Sequence, residues 1–190
     1  MLQWLKSLFK TPPPKSLPQL EMFRDNLNDL PAIQEIADYD VRTFQPGDEA
    51  VWCQIMEGNV GSNWTEESCR TKLTEDPRFK AENLFFIIHN DEAIASTCAW
   101  HTKDQAPDTG TVHMVAALPG HRGKGLGHLL NALVLHRLKD LGYQKSHLKT
   151  DDWRLPAIKT YLNAGFAPLN THESHPERWD KIFSELGVET

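Results

Sequence analysis

The 190-residue chain has few cysteines, no long apolar run and no large excess of one charge. Its three cysteines, Cys53, Cys69 and Cys98, are odd in number and lack metal-motif spacing, which argues against a disulfide framework and favours a reducing, cytoplasmic location. No apolar run reaches the length of a signal-peptide core or a membrane span. The net charge of −6 argues against a general nucleic-acid binder. It suits a small cationic or amine substrate, although mild acidity also simply aids solubility.

The composition that remains is that of an ordinary globular domain. Apolar residues make up 39% and charged residues 24% of the chain, which fits one domain with a sizeable core. The first ten residues have the pattern of a short amphipathic helix, for a membrane surface, a partner or, as we prefer, the protein's own body. Three prolines at positions 12–14 predict a stiff linker. We therefore expect an N-terminal amphipathic segment and Pro-rich linker over residues 1–20, and a single domain over residues 21–190.

Strand and helix patterns follow one another in the order strand, two helices, three strands, helix, strand, helix, strand. This mixture predicts an α+β domain with a mixed, largely antiparallel sheet. Asn90 and Asp91 predict a tight hairpin, and Asn63 or Thr65 predicts the cap of the second helix. Residues 174–177 predict a capping box at the last helix. The predicted strands are 39–44, 84–89, 93–100, 112–118, 143–150 and 167–170.

A glycine-rich turn between a strand and a helix lies at the centre of the sequence. The apolar run 112–118 has the length and β-branched residues of a buried strand, and leucines after Leu126 fall on one helix face. Gly123, Gly125 and Gly127 lie between them, where the backbone must approach something closely. Free N–H groups and the helix dipole make such a turn an anion site, most naturally for phosphate. A plain tight turn is the alternative.

Two familiar phosphate loops do not match this turn. A Walker A loop requires Ser or Thr after its lysine, but Lys124 is followed by Gly125. A dinucleotide-binding loop requires G-x-G-x-x-G, whereas the spacing here is G-x-G-x-G. The pattern that fits is Arg-x-x-Gly-x-Gly at Arg122, Gly125 and Gly127, preceded by Pro119. It resembles the pyrophosphate loop of the GNAT superfamily of N-acetyltransferases, which bind acetyl-CoA.

A second stretch carries the same resemblance. Residues 157–166, which read A-I-K-T-Y-L-N-A-G-F, resemble the superfamily's A-I-x-x-Y-x-x-x-G-F segment. The resemblance implies a GNAT-like, largely antiparallel sheet flanked by helices on both faces. It also implies transfer of an acetyl group from acetyl-CoA to an amine by direct attack in a ternary complex, with no metal. Beyond Phe166 the chain departs from the superfamily pattern, so the acceptor pocket is the part least defined.

The resemblance also implies which residues hold acetyl-CoA. Backbone N–H groups from Gly123 to His128 would carry the pyrophosphate, and a backbone N–H on strand 115–117 would stabilise the oxyanion. Arg122 and Lys124 either add positive charge or are simply solvated. The expected cofactor-binding residues are Val115, Ala116, Ala117, Arg122, Gly123, Lys124, Gly125, Leu126, Gly127 and His128.

Two catalytic candidates follow. Tyr161 matches the superfamily position that protonates the leaving thiolate, and a phenol stays protonated at neutral pH. A core aromatic is the alternative. In many relatives an acidic residue lies on the central strand shortly before the proline, but here Val115, Met114 and His113 occupy those places. His113 is the candidate base or a hydrogen-bonded core residue. The reserve candidates are Asp151, Asp152 and Glu173.

Two classes of function remain open. The first is an acetyl-CoA-dependent N-acetyltransferase acting on a small-molecule or peptide amine. The second is a CoA-ester-binding sensor or interaction module with little catalysis, which the missing strand carboxylate favours. No metal is expected, because His172 and His175 lack partners at metal-ligand spacing. The sequence leaves open the acceptor and the oligomeric state, a homodimer included.

Overall fold

Seven strands form one mixed sheet in the computed structural model, which describes residues 17–188. The strand order is β2-β3-β4-β5-β6-β1-β7, and only the pair β5 and β6 is parallel. This confirms the predicted α+β fold with a largely antiparallel sheet. The strands are β1 (Leu20–Arg24), β2 (Asp40–Thr43), β3 (Leu84–His89), β4 (Glu92–Trp100), β5 (Thr109–Ala117), β6 (Lys145–Thr150) and β7 (Ala167–Leu169).

Helices pack on both faces of the sheet. One face carries α3, α4 and α5, whose apolar residues join β1, β6 and the inner part of β5 in the largest hydrophobic cluster. The other face carries α1 and α2, which pack over β3, β4 and β5. The helices are α1 (Glu49–Met56), α2 (Glu66–Cys69, continuing as a π-helical turn Arg70–Thr74), α3 (Leu126–Asp140), α4 (Leu155–Asn163) and α5 (His175–Leu186). No helix within residues 17–188 is long and apolar enough to cross a membrane.

The hydrophobic cluster under α1 and α2 covers only half of its face. It contains residues of β3, β4 and β5, such as Phe86, Trp100 and Ala116, but none from β6, β1 or β7. The outer surface of β6 and β1 on this face is mostly polar, with Lys149 opposite Glu21 and His147 opposite Phe23. The described residues therefore leave a polar strip of sheet beside the α1–α2 layer.

Several local predictions are tested by the structure. Thr65, one of the two predicted caps, is the N-cap of α2, and it exchanges a reciprocal pair of hydrogen bonds with Ser68. Asn90 and Asp91 have φ of +50° and +64°, the conformation of a two-residue hairpin turn. The predicted capping box at α5 is wrong, because Ser174 makes no capping hydrogen bond. Its hydroxyl is instead 2.9 Å from Nδ1 of His172.

The first strand was not predicted from the sequence. β1 pairs with β6 and β7, which follow it by more than a hundred residues, and Leu20 and Met22 are fully buried. The carbonyl of Pro18 accepts a hydrogen bond from Arg178, so the packed body begins before β1. The predicted amphipathic helix and most of the predicted linker lie outside the described residues. The division at residue 20 stays a prediction.

Arg24 fastens β1 to the end of α4. Its side chain is buried, and its guanidinium donates hydrogen bonds to the carbonyls of Asn26, Asp29 and Ala164. A buried guanidinium is tolerated only when it is hydrogen-bonded, so these carbonyls and the arginine depend on one another.

Replacing Arg24 by methionine should lower the free energy of unfolding by about 1–3 kcal/mol, because the buried carbonyl of Ala164 loses its donor. Arg70→Met is the matched control, since Arg70 pairs with Glu66 and Glu67 on an exposed helix surface and should leave stability nearly unchanged. Urea denaturation measures both variants. Equal midpoints for the two would contradict the role of Arg24.

Candidate functional site

β5 and β6 run side by side only at their beginnings. The pairing starts at Thr109 with Lys145 and ends at Thr111 with His147, although β5 continues to Ala117 and β6 to Thr150. The two strands therefore separate, and the backbone groups that face the gap lack a strand partner. Such groups require another hydrogen-bonding partner, either water or a ligand.

A bulge in β5 lies where the strands separate. Met114 and Val115 together lie opposite the single residue Thr97 of β4. Met114 has φ of +54°, a conformation that is costly for a residue with a long side chain and that clusters at functional sites. Bulges bend a strand and redirect its side chains. This one marks the point at which β5 turns away from the regular sheet.

The open edge of β5 continues past the bulge. Leu118 donates its N–H to Ile94 O at 2.8 Å, toward β4. Because backbone groups of consecutive strand residues point to opposite edges, those of Ala117 point toward the gap beside β6. Val115 lines the same gap. The edge thus offers backbone hydrogen-bonding groups to an extended ligand.

A cavity of about 300 Å³ fills the gap between the strands. That size is within the range of small-ligand sites. The two sequence-predicted catalytic residues, Tyr161 and His113, both line it, and so does Val115. The other lining residues are Gln19, Val60, Thr102, Thr111, Val112, Met114, His147, Lys149 and Arg154.

Tyr161 reaches this cavity from α4. Its ring is buried and packs edge-on against Phe166 at 6.2 Å between ring centroids. Its hydroxyl makes no hydrogen bond to any residue in the described part of the chain. Burial raises the pKa of Tyr161 to about 12, against the lowering effect of the Arg154 charge. The phenol is therefore protonated at neutral pH, and no residue within 17–188 uses its donor.

His113 reaches the cavity from β5. Its ring is half-buried and stacks on Trp100, with 5.7 Å between centroids and 23° between planes. Burial, with a smaller effect from the charge of Arg78, lowers the pKa of His113 to about 4. The ring is therefore neutral at pH 7 and is a weak base.

The three reserve candidates have other surroundings. Asp151 forms an ion pair with Arg154 at 2.9 Å, and Asp152 forms one with Arg178 at 2.5 Å. Glu173 is exposed and does not line the cavity. The structure thus gives the first two a part in holding the loop before α4 and the start of α5.

The glycine-rich loop follows β5 directly. Gly123 and Gly125 have φ of +76° and +83°, and Gly125 caps the start of α3. Within residues 17–188, the backbone N–H groups of residues 123–127 donate no hydrogen bond to protein. The N–H of His128 donates to Gly125 O at 3.0 Å. A run of five free N–H groups at a helix start forms a cradle for an anion.

The two cations of the loop differ in their contacts. The guanidinium of Arg122 hydrogen-bonds Oδ1 of Asn59, in the connection between α1 and α2. The ammonium of Lys124 lies 5.8 Å from the ring centroid of Tyr39. Both side chains are exposed, so each can reach an anion held by the loop.

One pair at the cavity was missed from the sequence. Nε2 of His147 on β6 lies 2.7 Å from Oε2 of Glu21 on β1, and the His147 ring lines the cavity. Only the pairing of β1 with β6 brings these residues together, and β1 itself was not predicted. The available sequence signal was the alternation of polar residues in β6, which indicates a strand with one polar face.

The chain is similar to a known protein family, to curated proteins and to solved structures. The family model described as "Acetyltransferase (GNAT) family" matches residues 44–166 of the sequence. A mycothiol acetyltransferase of Mycobacteroides abscessus is 31% identical over 169 residues, covering 84% of this chain and 56% of that protein. Another, from Nocardia farcinica, is 38% identical over 140 residues, covering 68% of this chain and 46% of that protein. The chain spans about half the length of the curated relatives it matches.

Solved structures show the same fold. A GCN5-related N-acetyltransferase from Sphaerobacter thermophilus has a TM-score of 0.65 and 21% identity, over 80% of this chain and 50% of that chain. The ribosomal-protein-S18-alanine N-acetyltransferase of Escherichia coli has a TM-score of 0.54 and 18% identity, over 68% of this chain and 77% of that chain.

Gly125→Ala should weaken the binding of acetyl-CoA by roughly tenfold or more, because a methyl group then stands in the cradle. Its positive φ also costs about 1–2 kcal/mol of stability once a Cβ is present. Gly142→Ala is the matched control, since Gly142 has φ of +88°, no atom near an added Cβ, and a position at the far end of α3. Calorimetry and urea denaturation should show equal destabilisation but lost affinity only in Gly125→Ala. Equal affinities would contradict the cradle.

His113 should make the fold less stable below neutral pH. Its pKa is about 4 in the folded protein and 6.5 ordinarily, so the unfolded chain takes up the proton first as the pH falls. Stability contributed by the neutral ring is present above pH 6.5 and is lost toward pH 4. Thermal melts of His113→Gln across this window should show a smaller drop than wild type, whereas the exposed-site control His172→Gln should keep the full drop. Part of the drop remains because burial also lowers the pKa of His147.

Proposed function

Because the chain belongs to the acetyltransferase (GNAT) family, we propose that it moves an acetyl group from acetyl-CoA to the amine of a small polar acceptor. The amine attacks directly, in a ternary complex. The observation that carries this proposal is the cavity between β5 and β6, which has a free strand edge and an unused phenol on its walls. The strand that forms this edge leads straight into the glycine-rich loop.

Acetyl-CoA would lie along β5. Its pyrophosphate is held by the free N–H groups of residues 123–127, where Gly123 and Gly125 leave the backbone bare. Arg122 and Lys124 add positive charge at the same loop. The amide groups of the pantetheine arm then continue the interrupted sheet by pairing with the edge at Ala117 and Val115. This arrangement puts the thioester in the cavity.

The reaction forms a C–N bond and breaks a C–S bond. The acceptor nitrogen attacks the thioester carbonyl, and a backbone N–H on the open edge of β5 stabilises the oxyanion. Tyr161 donates a hydrogen bond to the sulfur as it leaves. A phenol with pKa near 12 holds its proton more tightly than a thiol, so stabilisation of the thiolate, helped by the Arg154 charge, is the main contribution.

The rest of the cavity favours a polar acceptor. The hydroxyls of Thr102 and Thr111 lie 3.1 Å apart, and Gln19 reaches Asp151 at 3.1 Å. Lys149 also lines the wall. These groups suit hydroxyl, carbonyl or amide substituents on the acceptor. The names of the relatives make mycothiol-type amines the first acceptors to test, followed by peptide N-termini and lysine.

A combined binding and turnover experiment tests the proposal. Acetyl-CoA should raise the midpoint temperature of thermal unfolding. At least one of the acceptors named for testing (mycothiol-type amines, peptide N-termini and lysine) should release the CoA thiol. Its initial-velocity plots at several fixed acetyl-CoA concentrations should intersect, as a ternary complex requires. Stabilisation without thiol release from any amine would favour a CoA-ester-binding module. Parallel lines would contradict direct attack, and no stabilisation would contradict both functions.

Tyr161→Phe should lower kcat by about 10²-fold while leaving acetyl-CoA affinity and stability nearly intact. Stability should be unchanged because the Tyr161 hydroxyl donates no hydrogen bond to described protein groups, so its removal leaves the packing intact. Tyr143→Phe serves as the control, because Tyr143 stacks on His101 and does not line the cavity. An unchanged kcat in Tyr161→Phe would remove Tyr161 from the reaction.

A further inference from the structure

The polar strip beside the α1–α2 layer contains a buried histidine that no step above uses. His147 is 2% exposed, and its ring lines the cavity from β6. On this strip it is followed by Lys149, which is largely exposed. Thr111 of β5 pairs directly with His147, so the two side chains lie on the same face of the sheet. His147 therefore faces the cavity from the side of the sheet that carries Thr102, Thr111 and His113.

A carboxylate fixes the orientation of this ring. Nε2 of His147 lies 2.7 Å from Oε2 of Glu21, and the hydroxyl of Thr171 donates to Oε1 at 3.1 Å. The ammonium of Lys149 lies 3.8 Å from Oε1. Burial raises the pKa of Glu21, but the hydrogen bonds from His147 and Thr171 and the charge of Lys149 together lower it below its ordinary value. Glu21 is therefore ionised at neutral pH and can only accept hydrogen bonds.

The ionised carboxylate determines the tautomer of His147. Since Glu21 only accepts, Nε2 must carry the hydrogen. Burial lowers the pKa of His147 despite the contact with Glu21, so the ring is neutral at pH 7 and Nδ1 carries a lone pair. Nδ1 makes no hydrogen bond within the described part of the protein. A base held by a carboxylate, with its other nitrogen free, is the arrangement found in enzymes that activate a nucleophile.

We propose that His147 is the general base of the acetyl transfer and that Glu21 is its positioning residue. This inference rests on the proposed function. The proton leaves the attacking acceptor nitrogen for Nδ1 of His147 as the C–N bond forms. The C–S bond breaks with its electron pair on sulfur, which accepts a hydrogen bond from Tyr161. The His147 imidazolium then gives up its proton to water, and the thiolate takes up a proton from water. The products are the N-acetyl amine and the free CoA thiol.

His113 is the competing base on the same cavity. Its ring has no carboxylate partner and is held by stacking on Trp100, with the Arg78 guanidinium 4.8 Å from the Trp100 ring centroid. A cation so placed opposes protonation of His113. His147 instead has an anion at hydrogen-bonding distance, which stabilises the imidazolium formed during the reaction. The geometry thus favours His147 as the proton acceptor and His113 as part of the acceptor wall.

The test compares His147→Ala, His147→Gln and Glu21→Gln, using the amine that wild type acetylates fastest. Both His147 variants should lose about 10²-fold or more in kcat while keeping the acetyl-CoA affinity measured by calorimetry. Added imidazole should restore part of the rate in His147→Ala, because the space of the ring then opens to the cavity. His136→Gln is the control. The His136 ring lies on α3 and is hydrogen-bonded to the carbonyl of Pro31, so its replacement should leave kcat unchanged. Thermal melts check that each variant is folded.

Glu21→Gln tests the positioning role, because glutamine keeps an acceptor for Nε2 but removes the charge. Its pH–rate profile should shift to lower pH, since His147 loses the anion that favours its protonated form. The charge of Lys149 on β6 also acts on this ring and opposes its protonation. His113 on β5 and Arg154 before α4 line the same cavity. A purely structural role for Glu21 would lower stability without moving the profile.

Two results separate the failure of this inference from failure of the proposed function. Wild type that binds acetyl-CoA but releases no thiol with any amine would overturn the function and, with it, the base. Wild type that is active while both His147 variants keep its kcat and pH profile would overturn the base alone. A larger loss in His113→Gln than in His147→Gln would likewise assign the role to His113.

Discussion

The candidate site depends on the loss of backbone pairing between β5 and β6 after Thr111. An unpaired buried backbone group costs about 1–3 kcal/mol, so a fold rarely leaves a strand edge open without use. Here the bulge at Met114 and the divergence of two parallel strands leave a cavity in the middle of the sheet. A ligand with its own amide groups recovers that cost by pairing with the edge. The same geometry fixes where the reactive end of such a ligand lies.

The two faces of the sheet supply different groups to the cavity. On the α3–α5 side, Tyr161 is anchored in the main hydrophobic cluster and lines the cavity. On the opposite side, the α1–α2 layer stops at β5 and leaves the polar strip of β6 and β1 uncovered by its hydrophobic cluster. A substrate entering between the faces therefore meets a rigid donor on one side and titratable groups on the other.

The predictions that succeeded rest on signals contained within a few neighbouring residues. The hairpin at Asn90 and Asp91 and the cap at Thr65 follow from local backbone preferences. β1 was missed because its short, mixed-polarity sequence becomes a strand only through pairing with β6 and β7. The predicted capping box at Ser174 is wrong because the hydroxyl of Ser174 is hydrogen-bonded to His172 instead. The roles of Tyr161 and His113 stay predictions, although both line one cavity.

The apparent absence of a strand carboxylate has a physical explanation once β1 is in place. A carboxylate on β5 itself would face the cavity directly and would lose water whenever a thioester and an acceptor filled it, which raises its pKa and changes its charge state. Glu21 lies one strand behind, where two hydrogen-bond donors, His147 and Thr171, and the charge of Lys149 stabilise it without depending on the ligand. In the proposed mechanism, the imidazole of His147 supplies the reactive lone pair, while the negative charge of Glu21 stays stabilised by protein groups. On this proposal, a contact between two strands takes the place of a carboxylate on one strand, and the sequence of neither strand by itself shows that contact.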